Sequence, residues 1–111
     1  MIRDEIIEYP YSGIITRIIE GSGREQDTTI TVYDGAMDMH MVTDEEGRTL
    51  QTSSYIVSIP LIKDDEEKWC IPHKGDKIEI TRYDELIELT VDNSEPSQLM
   101  GVSIYASRNN W

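Results

Sequence analysis

The sequence predicts an all-β fold: a small single-domain antiparallel barrel or sandwich of about seven strands. Three observations predict it. Apolar and polar residues alternate through residues 75–91. β-branched residues are abundant while phenylalanine is absent, and such residues suit a pleated surface. Turn-forming residues recur roughly every 8 to 12 positions. A chain of 111 residues is one domain. A barrel is expected rather than a sandwich, because closure removes exposed sheet edges.

The hairpin at 75–91 is the clearest element. Ile78 and Ile80 alternate with Lys77, Glu79 and Thr81, and Ile87, Leu89 and Val91 alternate with Glu88 and Thr90. The tetrad Arg82-Tyr83-Asp84-Glu85 is the turn. The five apolar residues should share one buried face, since a one-residue slip would expose them all.

Along the rest of the chain, residues 1–10 read as a charged arm and residues 11–111 as the barrel domain. Pro10 stops any helix begun in the arm. Residues 11–20 carry Ile14, Ile15, Ile18 and Ile19 and read as a strand that ends at Gly21-Ser22-Gly23. Residues 28–33 are a strand by composition, with Ile30 and Val32 on one face and Thr29, Thr31 and Tyr33 on the other. Asp34-Gly35 is a hairpin turn signal, and Met37, Met39 and Met41 then alternate along a return strand. A methionine stripe fills gaps in a core before it binds soft metals.

Residues 43–48 are a polar turn or loop, and residues 49–54 either prolong it or begin the next strand. Tyr55-Ile56-Val57-Ser58-Ile59 is apolar enough for a strand covered on both faces, and Pro60 marks its edge. Asp64-Asp65-Glu66-Glu67 is an exposed acidic tip, and Trp69-Cys70-Ile71 a short apolar return. Asn93-Ser94-Glu95-Pro96-Ser97 is a loop by composition. Residues 99–106 make the last strand, with Val102 and Ile104 on one side.

Charge restricts the function. There are 22 acidic against 10 basic residues, a net charge of −12. Affinity for nucleic acid comes from phosphate neutralisation by lysine and arginine, so tight nucleic-acid binding is not expected. The single cysteine, Cys70, makes an intrachain disulfide impossible. The N-terminus lacks a signal-peptide pattern, and no apolar run approaches the ~18 residues of a membrane span. The expected protein is soluble, without membrane association, and made in the cytoplasm.

No group of residues spells out a reaction. Cys70, His73 and Asp76 are spaced three apart, but a zinc site needs a fourth ligand that nothing specifies. The acids near Cys70 raise a thiol pKa, against a Cys70–His73 nucleophile. Glu79 and Glu88 sit on the wet face of the hairpin, where a solvated surface explains them better than a glycosidase pair. Arg82-Tyr83 is followed at once by two acids, so it reads as a hairpin tip. The expectation is a non-enzyme with no cofactor and no metal.

Taken in order, a strand with a turn over residues 28–41, the loop after it, the apolar strand 55–60, the Gly75-Asp76-Lys77-Ile78 lead-in to the hairpin and the last apolar strand resemble the tailed-bacteriophage head-tail joining proteins, also called stopper or head-completion proteins. The likeness covers residues 11–106 at the level of pattern. Met37, Met39 and Met41 stand where that family usually has an aromatic-rich strand. The resemblance implies a non-catalytic virion structural protein of a phage or prophage. It would form a homo-oligomeric ring on or below the portal, contact portal, neck and tail proteins, and be located in the virion neck after assembly in the bacterial host cytoplasm. Candidate assembly residues are Thr43, Asp44, Glu45, Glu46 and Arg48 in the loop, and Trp111 at the terminus. The alternative is a free-standing OB-like or SH3-like binding module whose acidic face holds a basic protein partner.

Overall fold

Alternation of side chains along paired strands closes the chain on itself. The computed structural model describes residues 9–42, 54–98 and 101–108. Within them run β1 (Tyr11–Ile19), β2 (Thr28–Met41), β3 (Ser54–Ile59), β4 (Lys77–Arg82), β5 (Glu85–Ser97) and β6 (Gly101–Arg108). They form one closed barrel in the order β1-β2-β3-β6-β5-β4, and every pairing is antiparallel. The fold is therefore the all-β barrel that the sequence predicts, with six strands among the described residues.

The central hairpin forms in the expected register, with Ile78 opposite Leu89 and Ile80 opposite Ile87. Ile78, Ile80, Ile87, Leu89 and Val91 are all buried at 0–2% exposure. Its turn is two residues long, and both Tyr83 (φ 50°) and Asp84 (φ 64°) have positive φ. That is the backbone twist a two-residue hairpin favours. Ile15, Met37, Met39, Val57, Ile59, Val102 and Ile104 complete the interior with them. Met41, the last of the methionine stripe, is instead 38% exposed.

Three local readings are corrected. Asp34-Gly35 is not a turn: β2 runs straight through it, and Gly35 pairs with Gly13 of β1. The long pairing with β1 outweighs the local turn signal, and this merges two expected strands into one. Second, Thr31 is exposed while Tyr33 is buried, so these two do not share a face as the alternation predicts. Ile15 pairs with Tyr33 but Thr16 with Thr31, which leaves Val32 as an extra residue in a β-bulge. One extra residue reverses the alternation beyond it. Third, residues 93–97 are strand, not loop. They continue β5 along β6, past a second irregularity at Asp92. Pro96 is tolerated there because β4 pairs with β5 only as far as Thr90, so that side of the strand lacks a ladder. In β3, Tyr55, Val57 and Ile59 are buried and the residues between them half-buried, so its two faces are covered unequally.

Two glycines are dictated by close approach. A methyl group on Gly13 would collide with Met37 Sδ and the Glu79 carbonyl, so Met37 packs across bare backbone. Gly101 opens β6 at φ 81°, and a methyl there would run into the Ile59 carbonyl oxygen. Gly101→Ala is expected to cost about 1–3 kcal/mol from backbone strain alone, and Ile80→Ala about 2–5 kcal/mol from the cavity it leaves. Denaturant unfolding of each variant measures both costs.

Candidate functional site

The connection from β3 to β4, residues 60–76, crosses the end of the barrel where β1 ends and β2 begins. Its anchor is ionic. Extending the β1–β4 register by one residue beyond Thr16–Lys77 sets Arg17 opposite Asp76. Arg17 Nε donates to Asp76 Oδ1 at 3.0 Å and Nη2 donates to Oδ2 at 2.8 Å. The His73 backbone N–H donates to the same Oδ2 at 2.8 Å. Nη2 also reaches the Ile71 carbonyl at 3.3 Å. Asp76 is 3% exposed, so these bonds replace the water it has lost. Its backbone continues the β4–β5 ladder: Val91 N–H donates to the Asp76 carbonyl, and Gly75 N–H to that of Val91, each at 2.8 Å. One aspartate thus ties β1, β4, β5 and the connection together.

Beyond this anchor the connection plugs the barrel. Pro72 is fully buried and Cys70 is 7% exposed. A reverse turn at Asp64 shapes the tip, with its carboxylate accepting from the backbone N–H groups of Glu66 and Lys68 at 2.8 and 3.0 Å. Lys63 pairs with Trp69 across that turn, and its ammonium lies 4.8 Å from the Trp69 ring centre. Trp69 is nevertheless 53% exposed. It stands between two concavities. One, about 330 Å³, lies against Leu61, Ile71 and Pro96. The other, about 460 Å³, lies between the connection and Ile30, Thr31 and Val32 of β2. Acidic Asp64 and Glu66 share this second wall with Lys68, which is held by Glu66 at 3.1 Å.

The spacing Cys70, His73, Asp76 does not make a metal centre here. Asp76 is committed to Arg17 and the backbone, Cys70 is buried and His73 is exposed. Among the described residues no three His, Cys, Asp or Glu side chains are grouped to hold a metal ion. Burial raises the Cys70 thiol pKa, and Asp64 raises it further. Glu79 and Glu88 are direct cross-strand partners on the exposed outer face, where they line only a small concavity of about 80 Å³ with Lys77. Arg82 and Glu85 close the hairpin, with Tyr83 86% exposed at its tip and edge-on to Tyr11 at 6.1 Å. Thr43, Asp44, Glu45, Glu46, Arg48 and Trp111 lie outside the described residues, as do residues 1–8 of the arm.

The sequence carried two signals for this site. Arg17 interrupts a run of isoleucines, and a cation in such a run needs a partner to be buried. Trp69 directly follows six charged residues. Neither signal names its counterpart, because Arg17 and Asp76 are 59 residues apart. Comparison with known proteins finds no matching family model, no similar curated protein and no similar solved structure.

Two outcomes are expected. Breaking a fully buried ion pair costs about 3–5 kcal/mol. Arg17 keeps 24% of its side chain accessible, so Asp76→Ala should cost about 2–3 kcal/mol by chemical denaturation. Arg17→Met combined with Asp76→Leu should recover part of that loss, since no buried charge is then left alone. For Cys70, the shift places extra folding stability below the ordinary thiol pKa, and that stability is lost as pH rises through the raised value. Disulfide-exchange reagents should therefore modify the native thiol far more slowly than the unfolded one near neutral pH. Equal rates would contradict the burial.

Proposed function

We propose that this chain is a non-catalytic structural protein of the neck of a tailed-phage or prophage particle, assembling as a ring on or below the portal. The observation that carries this reading is the coincidence of resemblance and architecture. Three of the segments on which the resemblance to head-tail joining proteins rests are strands of the same barrel: residues 55–60 cover most of β3, residues 75–91 include β4 and about half of β5, and residues 99–106 include most of β6, while the strand and turn over residues 28–41 is the single strand β2. The charge is compatible with a conduit for DNA. Glu79, Glu85, Glu88 and Asp34 all lie on the exposed outer surface. At ~0.15 M salt the Debye length is ~8 Å, so an acidic wall repels DNA only at close range. Such a wall neither holds the cargo nor impedes it far away. Exposed apolar side chains at opposite ends of β1, Ile18 and Ile19 at one and Tyr83 and Leu86 near the other, offer unlike surfaces to neighbouring subunits. Unlike surfaces in head-to-tail contact are what close a ring.

A second reading is a binding module with an acidic face for a basic protein partner. The half-exposed Trp69 between two concavities favours it.

The neck reading predicts no retention of duplex DNA by the purified protein even at low salt, and self-association that rises with salt as repulsion between copies is screened. Sedimentation velocity with and without DNA measures both. Particles made without the gene should show filled heads lacking joined tails by electron microscopy. Intact tailed particles, or tight DNA binding, would overturn the assignment.

A further inference from the structure

The seam between β2 and β3 is short. β2 pairs with β3 only over Asp38–Met41, whereas it pairs with β1 along nearly its whole length. Over residues 28–37 its second edge has no strand partner among the described residues. In an antiparallel strand alternate residues direct N–H and C=O to each side, so this edge presents ladder groups without a strand partner among the described residues, the Ala36 carbonyl accepting instead from the Tyr33 hydroxyl at 2.8 Å. Natural proteins blunt such edges with charge, proline or a covering element. Residues 28–33 are Thr, Thr, Ile, Thr, Val and Tyr, without charge or proline. The bulge at Val32 turns Ile30 onto the same side as Arg17, into the cleft of about 460 Å³. Trp69 and Ile71 form the facing wall.

We propose that this cleft takes an extended, lysine- or arginine-bearing protein segment, which adds as a strand to the free edge of β2 and packs an apolar side chain against Trp69. Strand addition draws affinity from main-chain hydrogen bonds and specificity from pockets for alternate side chains. Ile30, Val32, Ile71 and Trp69 supply such a pocket. Charge selects the occupant. Asp64 and Glu66 line the cleft beside Lys68 and the Asp76-bound Arg17; the tip from Lys63 to Lys68 carries four acids against two lysines, the lysines lie at Glu67 and Glu66, and Asp65 has no ion-pair partner among the described residues. The chain's own candidates are repelled by that tip: residues 1–8 carry one arginine against three acids, residues 43–53 one arginine against three acids, and a second copy brings −12. The proposal rests on the second reading above and specifies how the basic partner is held.

The probe is a fluorescein-labelled nonapeptide of alternating lysine and valine, with a glutamate–valine peptide as control. A generic sequence suffices because the main chain does the pairing. Anisotropy should show the lysine peptide binding on the order of tenfold or more tighter than the glutamate peptide, with the difference shrinking as salt rises. Hydrogen exchange should show new protection at the amides of residues 28–33 and none at β4. Trp69→Ala, at an exposed position that leaves the fold intact, should weaken binding by about tenfold or more. Binding without protection of β2 overturns strand addition while leaving a basic partner in place. No preference for the lysine peptide overturns both. Protection of the edge-facing amides of residues 28–33, those not directed at β1, already present in the free protein, or appearing only as protein concentration rises, assigns the edge to the chain itself or to a second copy and overturns the proposal.

Discussion

The Arg17–Asp76 pair is the constraint that the barrel end depends on. The seam between β1 and β4 closes the barrel and joins residues far apart in sequence. Apolar contacts along it, such as Ile15 against Ile78, are non-directional. The ion pair is directional, with two guanidinium nitrogens meeting two carboxylate oxygens. A slip of one residue along the seam would turn Asp76 to the other face and strand a charge in a dry setting. The pair therefore sets the register that burial alone leaves loose. It also holds the connection over the barrel end through Ile71 and His73, so the position of Trp69 follows from it.

The two departures from regular pairing lie toward that same end. β2 carries its bulge at Val32 and β5 its irregularity at Asp92, and each strand then outruns one of its neighbours. A barrel of equal strands would be sealed all round. This one is sealed where the interior is fullest and open where the connection passes. Its exposed tryptophan, acidic tip and unpaired edge are thus consequences of strand lengths, not separate features.

The sequence disclosed what repeats at short range. Alternation at 77–81 and 87–91 placed five core residues correctly, because each side chain's face depends only on its immediate neighbours. The turn at Tyr83-Asp84 was legible for the same reason. Thr31 and Tyr33 do not share the face that alternation predicts, because a bulge is decided by the partner strand and nothing in Thr31-Val32-Tyr33 announces it. Asp34-Gly35 misled because a turn signal is local, whereas the pairing of Gly35 with Gly13 is not. Asp76 was visible as a candidate ligand only by spacing. Its real partner lay in a different strand, and the arginine that needed a counter-charge was passed over among isoleucines.

The strand order also fixes when the barrel can exist. β1 needs β4 for its second neighbour and β3 needs β6, whereas β4, β5 and β6 pair with one another in sequence. Non-local closure carries a loop-entropy cost before any contact offsets it. On a ribosome moving at 5–20 residues per second, the ~60 residues between the two sides of the seam take roughly 3–12 s to appear. Through that interval the isoleucine-rich first strand is already made and its barrel partner is not. The N-terminal half thus spends seconds as an open, sticky sheet, and the acidic residues spread along the chain are what keep nascent copies apart until the last strands arrive.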